Sequence, residues 1–319
     1  MRDLSIVKKE LLAALPGRVR FDEPMRLHTS FHLGGPAEIW AEPNGEQQLQ
    51  KVLSIASTAA LPITLIGGGA NLLVRDEGIP GMVVHLAGSS FQYSRREGSI
   101  FIAGAALPLE WLVRRTQEAG LSGAEFLAGV PGQVGGGIRM NAGTHDDEGK
   151  FHHFGDIVQS IRVMDYSGNG RSLNPDQIGF RYRGTELKNQ IVLEAHLDLS
   201  PGDPAIVADR VKRLWEFKKK TQDWSSPSVG CIFKNPKPHA PGEPAKGAGW
   251  MIDQAGLKGT RIGGAMISNK HANFIMNLGD AKAADVFALI AMAREKVKKQ
   301  FGADLELEVQ VLPSEGRGE

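Results

Sequence analysis

The chain has 319 residues, room for two or three compact domains at roughly 100–200 residues each, and it can bury a core without disulfide or metal staples. Its 37 basic and 36 acidic residues leave a formal charge of +1, which gives no electrostatic footprint for a nucleic-acid backbone or an anionic membrane. A single cysteine, Cys231, excludes an intramolecular disulfide and any multi-cysteine zinc site, and the unpaired thiol fits a reducing compartment.

No apolar stretch approaches the roughly 18 residues that would span a bilayer, and Leu11 to Leu15 is too short for the core of a secretory leader. A cytoplasmic monomer without membrane or nucleic-acid partners is expected. In chain order, residues 2–14 and 46–60 carry helical spacing, the second through Leu49, Val52, Leu53 and Ile55. Between them the turn-rich stretch Thr29 to Pro36 leads into the apolar run Ala37-Glu38-Ile39-Trp40. Short β-like runs follow at 62–66, 72–75, 82–85 and 100–103, each bounded by Gly, Pro or Asp. Residues 108–119 read as a helix with Pro108 in its first turn and Gly120 just past its end.

Strands are expected near 157–165 and 191–198, and the breaker cluster Ser200-Pro201-Gly202-Asp203-Pro204 makes the best domain boundary. Beyond it, 204–222 reads as a basic amphipathic helix with a solvated face. Further α+β elements are expected at 231–234, 247–256, 263–267 and 273–276, then a helix over 283–300 and an alternating strand from Leu305 to Leu312. The class is α+β. The expected division is 1–200, itself in two parts over roughly 1–85 and 86–200, followed by 201–319.

Glycine is abundant, 39 of 319 residues, and two clusters stand out. The first, Gly67-Gly68-Gly69-Ala70-Asn71-Leu72, follows a strand and could bring backbone amides onto phosphate oxygens with no Cβ in the way. It fails the dinucleotide fingerprint, because position 72 is Leu and a strand follows, and it lacks the Gly-Lys-Ser/Thr ending of a P-loop. The second runs from Gly129 to Gly143 and includes Pro131, Gly132, Val134, Gly135, Gly136 and Asn141. Each loop alone is an ordinary tight turn as readily as a site; together they suggest a ligand with a phosphate spine, bound in a non-Rossmann manner.

Three further features could carry chemistry. Arg183, in Phe180-Arg181-Tyr182-Arg183-Gly184-Thr185, could clamp a carboxylate or be a surface arginine beside a turn. Cys231, between Gly230 and Ile232, could be an acid, a nucleophile or buried filler. In the last strand, alternation puts Glu306, Glu308 and Gln310 on one face, either solvated or lining a cleft.

Taken together, His28-Thr29-Ser30-Phe31-His32-Leu33-Gly34-Gly35-Pro36, the two glycine clusters with Met140-Asn141-Ala142-Gly143, Tyr182-Arg183-Gly184-Thr185, Gly230-Cys231-Ile232-Phe233-Lys234-Asn235-Pro236, Ile252-Asp253-Gln254-Ala255-Gly256 and Lys270-His271-Ala272-Asn273-Phe274 resemble the UDP-N-acetylenolpyruvoylglucosamine reductases, flavoenzymes of bacterial cell-wall precursor synthesis. The motifs run in the family's order over residues ~20 to 312. The resemblance implies an FAD-binding region of the vanillyl-alcohol-oxidase type built from two α+β subdomains, and a C-terminal α+β substrate-binding domain. It implies noncovalent FAD with its pyrophosphate in the glycine loops (Gly67, Gly68, Gly69, Ala70, Asn71, Leu72, Gly129, Pro131, Gly132, Val134, Gly135, Gly136 and Asn141). NADPH is the implied reductant, a UDP-sugar the substrate, and no metal takes part.

Carried over by resemblance, Arg183 matches the catalytic arginine, Glu308 the catalytic glutamate, and Asn235 a substrate-binding asparagine, while Cys231 falls where most members carry a proton-donating serine. The implied chemistry adds a hydride to the methylene carbon of an enolpyruvyl ether and a proton to its α-carbon. The negative charge that spreads into the carboxylate is of the kind that Arg183 and a protonated Glu308 could stabilise. Gln310 stands where many members carry Arg. Arg183 and Cys231 are 48 positions apart, which leaves no room for the inserted subdomain of the long form. The alternatives are a carbohydrate or alcohol oxidase on the same cofactor fold, a cofactor-free cysteine hydrolase, and a nucleotide-binding module without chemistry.

Overall fold

Leu49, Val52, Leu53 and Ile55 are all buried, on one face of the helix Glu46–Thr58 that their spacing predicts. The computed structural model describes residues 4–146, 148–236 and 246–314. Its contacts group into two units. The first takes the chain up to Asp22, Glu38–Gly68 and Gly81–Lys218; the second takes Glu23–Ala37, Gly69–Pro80 and the chain from Lys219 onward.

The two larger sheets frame the first unit. One has strand order Val19–Pro24, Pro36–Ala41, Ile79–His85, Ile63–Ile66, the last two parallel. The other is antiparallel, in the order Gly170–Leu173, Val158–Asp165, Gln190–Asp198, Ile100–Gly104, Ser94–Glu97. Its middle strand, Gln190–Asp198, is buried almost continuously rather than in alternation, as a strand covered on both faces must be. Glu194 is the buried carboxylate of that strand, Asp198 at its end being exposed. Glu194 is 3% exposed and accepts from the Tyr93 hydroxyl, from His196 Nε2 at 2.7 Å and from Arg95 at 3.3 Å. Burial and the bond to Glu194 push the Tyr93 phenol up to about 12.

The helix Leu109–Glu118 starts just after Pro108 and ends before Gly120, whose φ of +66° is the left-handed stop that glycine favours. The short helix Val134–Arg139 is not expected from three consecutive glycines, which are poor helix formers. Tertiary contact accounts for it. A Cβ on Gly135 would lie 3.1 Å from Ala105 Cβ and one on Gly137 3.0 Å from the Phe154 ring, so only a bare helix can approach this closely.

The first unit continues past the expected boundary at 200, as far as Lys218. The reason is the long helix Pro204–Thr221, which buries Val207, Leu214 and Lys218; Leu214 joins the first unit's core and Lys218 Nζ donates to the Ala128 carbonyl.

The second unit has its own core, which recruits Phe31, Leu33 and Leu73 from the N-terminal half of the chain. An antiparallel sheet, Arg261–Ile262, Ala265–Ile267 and Ile275–Asn277, packs with the helix Ala283–Phe301, which buries Val286, Leu289, Ile290, Ala293 and Val297. Helix Ala248–Gln254 packs beside it. The expected eight-residue strand shrinks to Gln310–Leu312, paired in parallel with Leu72–Val74. The amides of Glu308 and Val309 both reach the Ile232 carbonyl, at 2.8 and 3.3 Å, an irregularity of the bulge kind that interrupts the ladder. The expected single carboxylate face is broken there. Glu306 is exposed and pairs with Lys234, whereas Glu308 is half-buried.

Candidate active site

The two glycine clusters meet within the first unit. A Cβ on Gly68 would lie 3.1 Å from the Gly132 Cα, and one on Gly67 3.3 Å from Gln133 Oε1 and 3.9 Å from the Gly136 amide nitrogen. Gly136 is exposed, and a side chain there would meet nothing within 4 Å. Gly135 and Val134 are instead pinned from behind, their amides donating to the Ala105 and Leu107 carbonyls at 2.9 Å. Gly129 has φ +69°, a Cβ there would lie 3.0 Å from Lys218 Cδ and 3.5 Å from the Trp215 ring, and Pro131 is exposed.

Nothing in the residues beside Lys218 marks it, yet it is 4% exposed beneath the second loop, and burial pushes its ammonium down to about 8. A signal existed. Val207, Leu214 and Lys218 are seven and four positions apart, so this lysine lies on the helix's apolar face.

Arg183 is built by the same unit. It follows Tyr182 in a two-residue turn closed reciprocally between Arg181 and Gly184, and its φ of +55° is a conformation non-glycine residues adopt only where surroundings enforce it. Its guanidinium donates to the Gly143 carbonyl at 2.8 Å and lies 5.7 Å and 5.4 Å from the Phe151 and Tyr182 ring centroids. Asn141 braces this turn from below. It is buried, its Nδ2 donates to the Arg181 carbonyl at 3.0 Å and its Oδ1 accepts the Gly155 amide at 2.9 Å. Next to the turn lies a cavity of about 610 Å³, lined by Asn141, His153, Asp156, Asp176, Arg181 and Tyr182 among others.

The second unit brings Cys231 and Glu308 onto adjoining backbone. Cys231 is half-buried and bridges to Phe274; the residue after it, Ile232, accepts from Glu308 and donates to the Asn273 carbonyl. Asn273, 2% exposed, grips Phe233 at both ends, its Nδ2 on the carbonyl at 2.8 Å and its Oδ1 under the amide at 2.9 Å. Burial holds His271 below the usual imidazole range, and its Nδ1 accepts the Asn273 amide. Asn235 is exposed, with Oδ1 on the Ala248 amide at 3.0 Å. Gln310 brings no charge; its Nε2 donates to the Glu308 carbonyl at 3.2 Å.

The first glycine cluster continues into this unit. A Cβ on Gly69, φ +65°, would sit 2.0 Å from the His28 carbonyl oxygen, so no other residue fits. Asn71 sends its side-chain amide to the Glu308 carbonyl, and Leu72 opens the strand that pairs with Gln310. Among the described residues no group of three or more His, Cys, Asp or Glu could hold a metal ion, and no helix is long and apolar enough to cross a membrane.

Comparison with known proteins gives this arrangement a class. Residues 37–174 match the FAD binding domain, and residues 222–312 match the UDP-N-acetylenolpyruvoylglucosamine reductase C-terminal domain. The chain is a flavin-dependent oxidoreductase of α+β architecture. It is 39% identical over 298 residues to UDP-N-acetylenolpyruvoylglucosamine reductase 2 of Symbiobacterium thermophilum, covering 93% of this chain and 92% of that one. It is also 39% identical to the reductase of a Synechococcus species, over 95% and 94% of the two chains. The crystal structure of the Thermus caldophilus reductase superposes with a TM-score of 0.75 at 35% identity, covering 91% of this chain and 97% of that one. The chain belongs to the UDP-N-acetylenolpyruvoylglucosamine reductase family, which sets aside the oxidase, the cofactor-free hydrolase and the inert binding module.

Proposed function

We propose that the chain reduces UDP-N-acetylglucosamine enolpyruvate to UDP-N-acetylmuramate at the expense of NADPH, using noncovalent FAD. The observation that carries this reading is the backbone pairing of Glu308 with the loop bearing Cys231, in a chain whose relatives over nearly their whole length bear this activity's name. The glycine clusters suit the cofactor. Facing stretches of bare backbone, with Gly136 open to solvent, offer amides where any side chain would fill the space a pyrophosphate needs. In this reading Gly67 to Leu72, together with Gly129, Pro131, Gly132, Val134, Gly135, Gly136 and Asn141, line that cradle. Asn71 and Asn141 contribute through their backbone positions alone, because the Asn71 amide is engaged by the Glu308 carbonyl and both ends of the Asn141 side chain are taken.

When bound, the flavin supplies the hydride, taken from NADPH, that reaches the methylene carbon. The chain's own residues handle charge and proton. Arg183, already anchored on Gly143, offers a preorganised guanidinium to the substrate carboxylate as negative charge spreads into it. Glu308 in its protonated form donates to the same oxygens. Cys231 gives its thiol proton to the α-carbon and is reprotonated from solvent. A thiol is a far stronger acid than a hydroxyl, so it can replace a serine in this role. Asn235 binds substrate.

In functional terms, 1–200 serves the flavin and 201–319 the substrate, in a cytoplasmic monomer with no nucleic-acid or membrane partner. The test is direct. Purified protein should be yellow, release FAD on denaturation, and oxidise NADPH only when the enolpyruvyl sugar nucleotide is present. Colourless protein, or NADPH oxidation indifferent to the sugar nucleotide, would overturn the reading.

A further inference from the structure

Asn71 lies near the end of the first glycine cluster, where a polar side chain invites assignment to the cofactor. Its amide is directed elsewhere. Nδ2 donates to the main-chain carbonyl of Glu308 at 3.0 Å, across 237 positions of sequence, and the Asn71 carbonyl accepts the Gln310 amide at 2.9 Å. From Leu72 the two segments run on as a parallel pair. On its other side, the Glu308 amide donates to Ile232 at 2.8 Å, one residue past Cys231. The peptide groups flanking the Glu308 Cα are therefore held from both sides, by the Cys231 loop through its N–H and by Asn71 through its C=O. Between these contacts the ladder is irregular, because the Val309 amide shares the Ile232 carbonyl. The Asn71 side chain supplies the contact that a regular ladder would otherwise give.

We propose that Asn71 is a positioning residue for Glu308: its side-chain amide fixes the Glu308 backbone and so the direction from which the carboxyl group reaches substrate. The inference rests on the reductase reading above and goes beyond it by moving this side chain from the flavin to the acid. It ties the cofactor loop to the substrate-side glutamate through one hydrogen bond. The chemistry explains the residue type. Asp in its place would set a carboxylate oxygen against the Glu308 carbonyl, turning attraction into repulsion at unchanged size. Ala would leave that carbonyl with the Gln310 Nε2 contact at 3.2 Å.

The test uses full-length holoenzyme carrying Asn71→Ala and, separately, Asn71→Asp. Flavin affinity should match wild type, as should the rate at which NADPH bleaches the flavin. Reoxidation by the sugar nucleotide should slow, roughly ten- to a hundredfold for Ala and more for Asp, the range that a small misplacement of a reacting group commonly costs. In a Glu308→Gln background, adding Asn71→Ala should cost little more, because the two changes act on one group. A purely structural role would lower the melting temperature and multiply independently with Glu308→Gln. Weakened flavin binding or slowed reduction by NADPH would return Asn71 to the cofactor and overturn the proposal, as would unchanged reoxidation in both variants. If wild type itself fails to turn over the sugar nucleotide, the reductase reading falls first, and flavin affinity in the same variants still separates a flavin ligand from a residue that leaves the flavin untouched.

Discussion

The Glu308 amide donates to the Ile232 carbonyl at 2.8 Å, and Ile232 is the residue after Cys231. Two candidate proton-handling groups, 77 positions apart (308 − 231), are thereby fixed on neighbouring backbone within one unit. Asn273 holds the same loop from the opposite direction, through Phe233. Such double restraint suits a site that must meet developing charge without reorganising.

The glycine cradle gives a prediction that separates fold from cofactor. A side chain on Gly135 would press on Ala105 at 3.1 Å, so Gly135→Val should damage the protein itself. One on Gly136 meets no protein atom within 4 Å, so Gly136→Val should melt near wild type yet purify with little flavin. The ratio of flavin to protein absorbance, read beside a melting curve, checks this. Full flavin occupancy in Gly136→Val would remove that position from the cradle.

In the proposed reaction Arg183 acts in the second half-reaction alone. Arg183→Ala should slow reoxidation of reduced flavin by the sugar nucleotide by about 10²–10³, the usual loss for one donor to a developing oxyanion, and leave reduction by NADPH nearly unchanged. Stopped-flow absorbance resolves the two steps. Equal losses in both would show that the arginine supports the loop and not the reaction.

Lys218 predicts a pH dependence of stability. Its folded value near 8 lies below the ordinary 10.5, so between these values the unfolded chain binds a proton here that the folded chain does not. Stability should therefore rise with pH through that window, and the burial penalty should act in full below it. The change is on the order of 3 kcal/mol for a shift of this size. Lys218→Met lacks the group, so the stability difference between variant and wild type, from urea unfolding at a series of pH values, should shrink as pH climbs from 8 to 10.5. A difference independent of pH would place the ammonium in water.

What could be read from the sequence depended on the range of the forces involved. The helices Glu46–Thr58 and Ala283–Phe301 were legible because their apolar spacing is local and long. Val134–Arg139 was not, because only the close approach of Ala105 and Phe154 makes a three-glycine helix worth forming. Period-two alternation from Leu305 was real as composition, but the interruption at Glu308 and Val309 is set by Ile232, which no local pattern reveals. Lys218 was hidden in a run of basic residues, and its buried position follows only from its phase with Leu214. The reach of Asn71 to Glu308 depends on a parallel pairing between segments more than 200 positions apart, at a separation of 237 for this contact. The residues with assigned chemistry were found through motif resemblance. The side chains that hold them became visible only in three dimensions.

In the proposed reaction Cys231 delivers the proton to the α-carbon while Glu308 and Arg183 stabilise the carboxylate. Single-turnover reoxidation of NADPH-reduced enzyme by the sugar nucleotide, compared among wild type, Cys231→Ser and Cys231→Ala, tests it most directly. The account predicts that Ser retains substantial reoxidation, that Ala loses far more, and that all three are reduced by NADPH alike. A cysteine that merely fills space would reverse the order, since Ser would bury a hydroxyl where Ala buries nothing polar. Reoxidation of Cys231→Ala at the wild-type rate would contradict the account and move the proton to another donor.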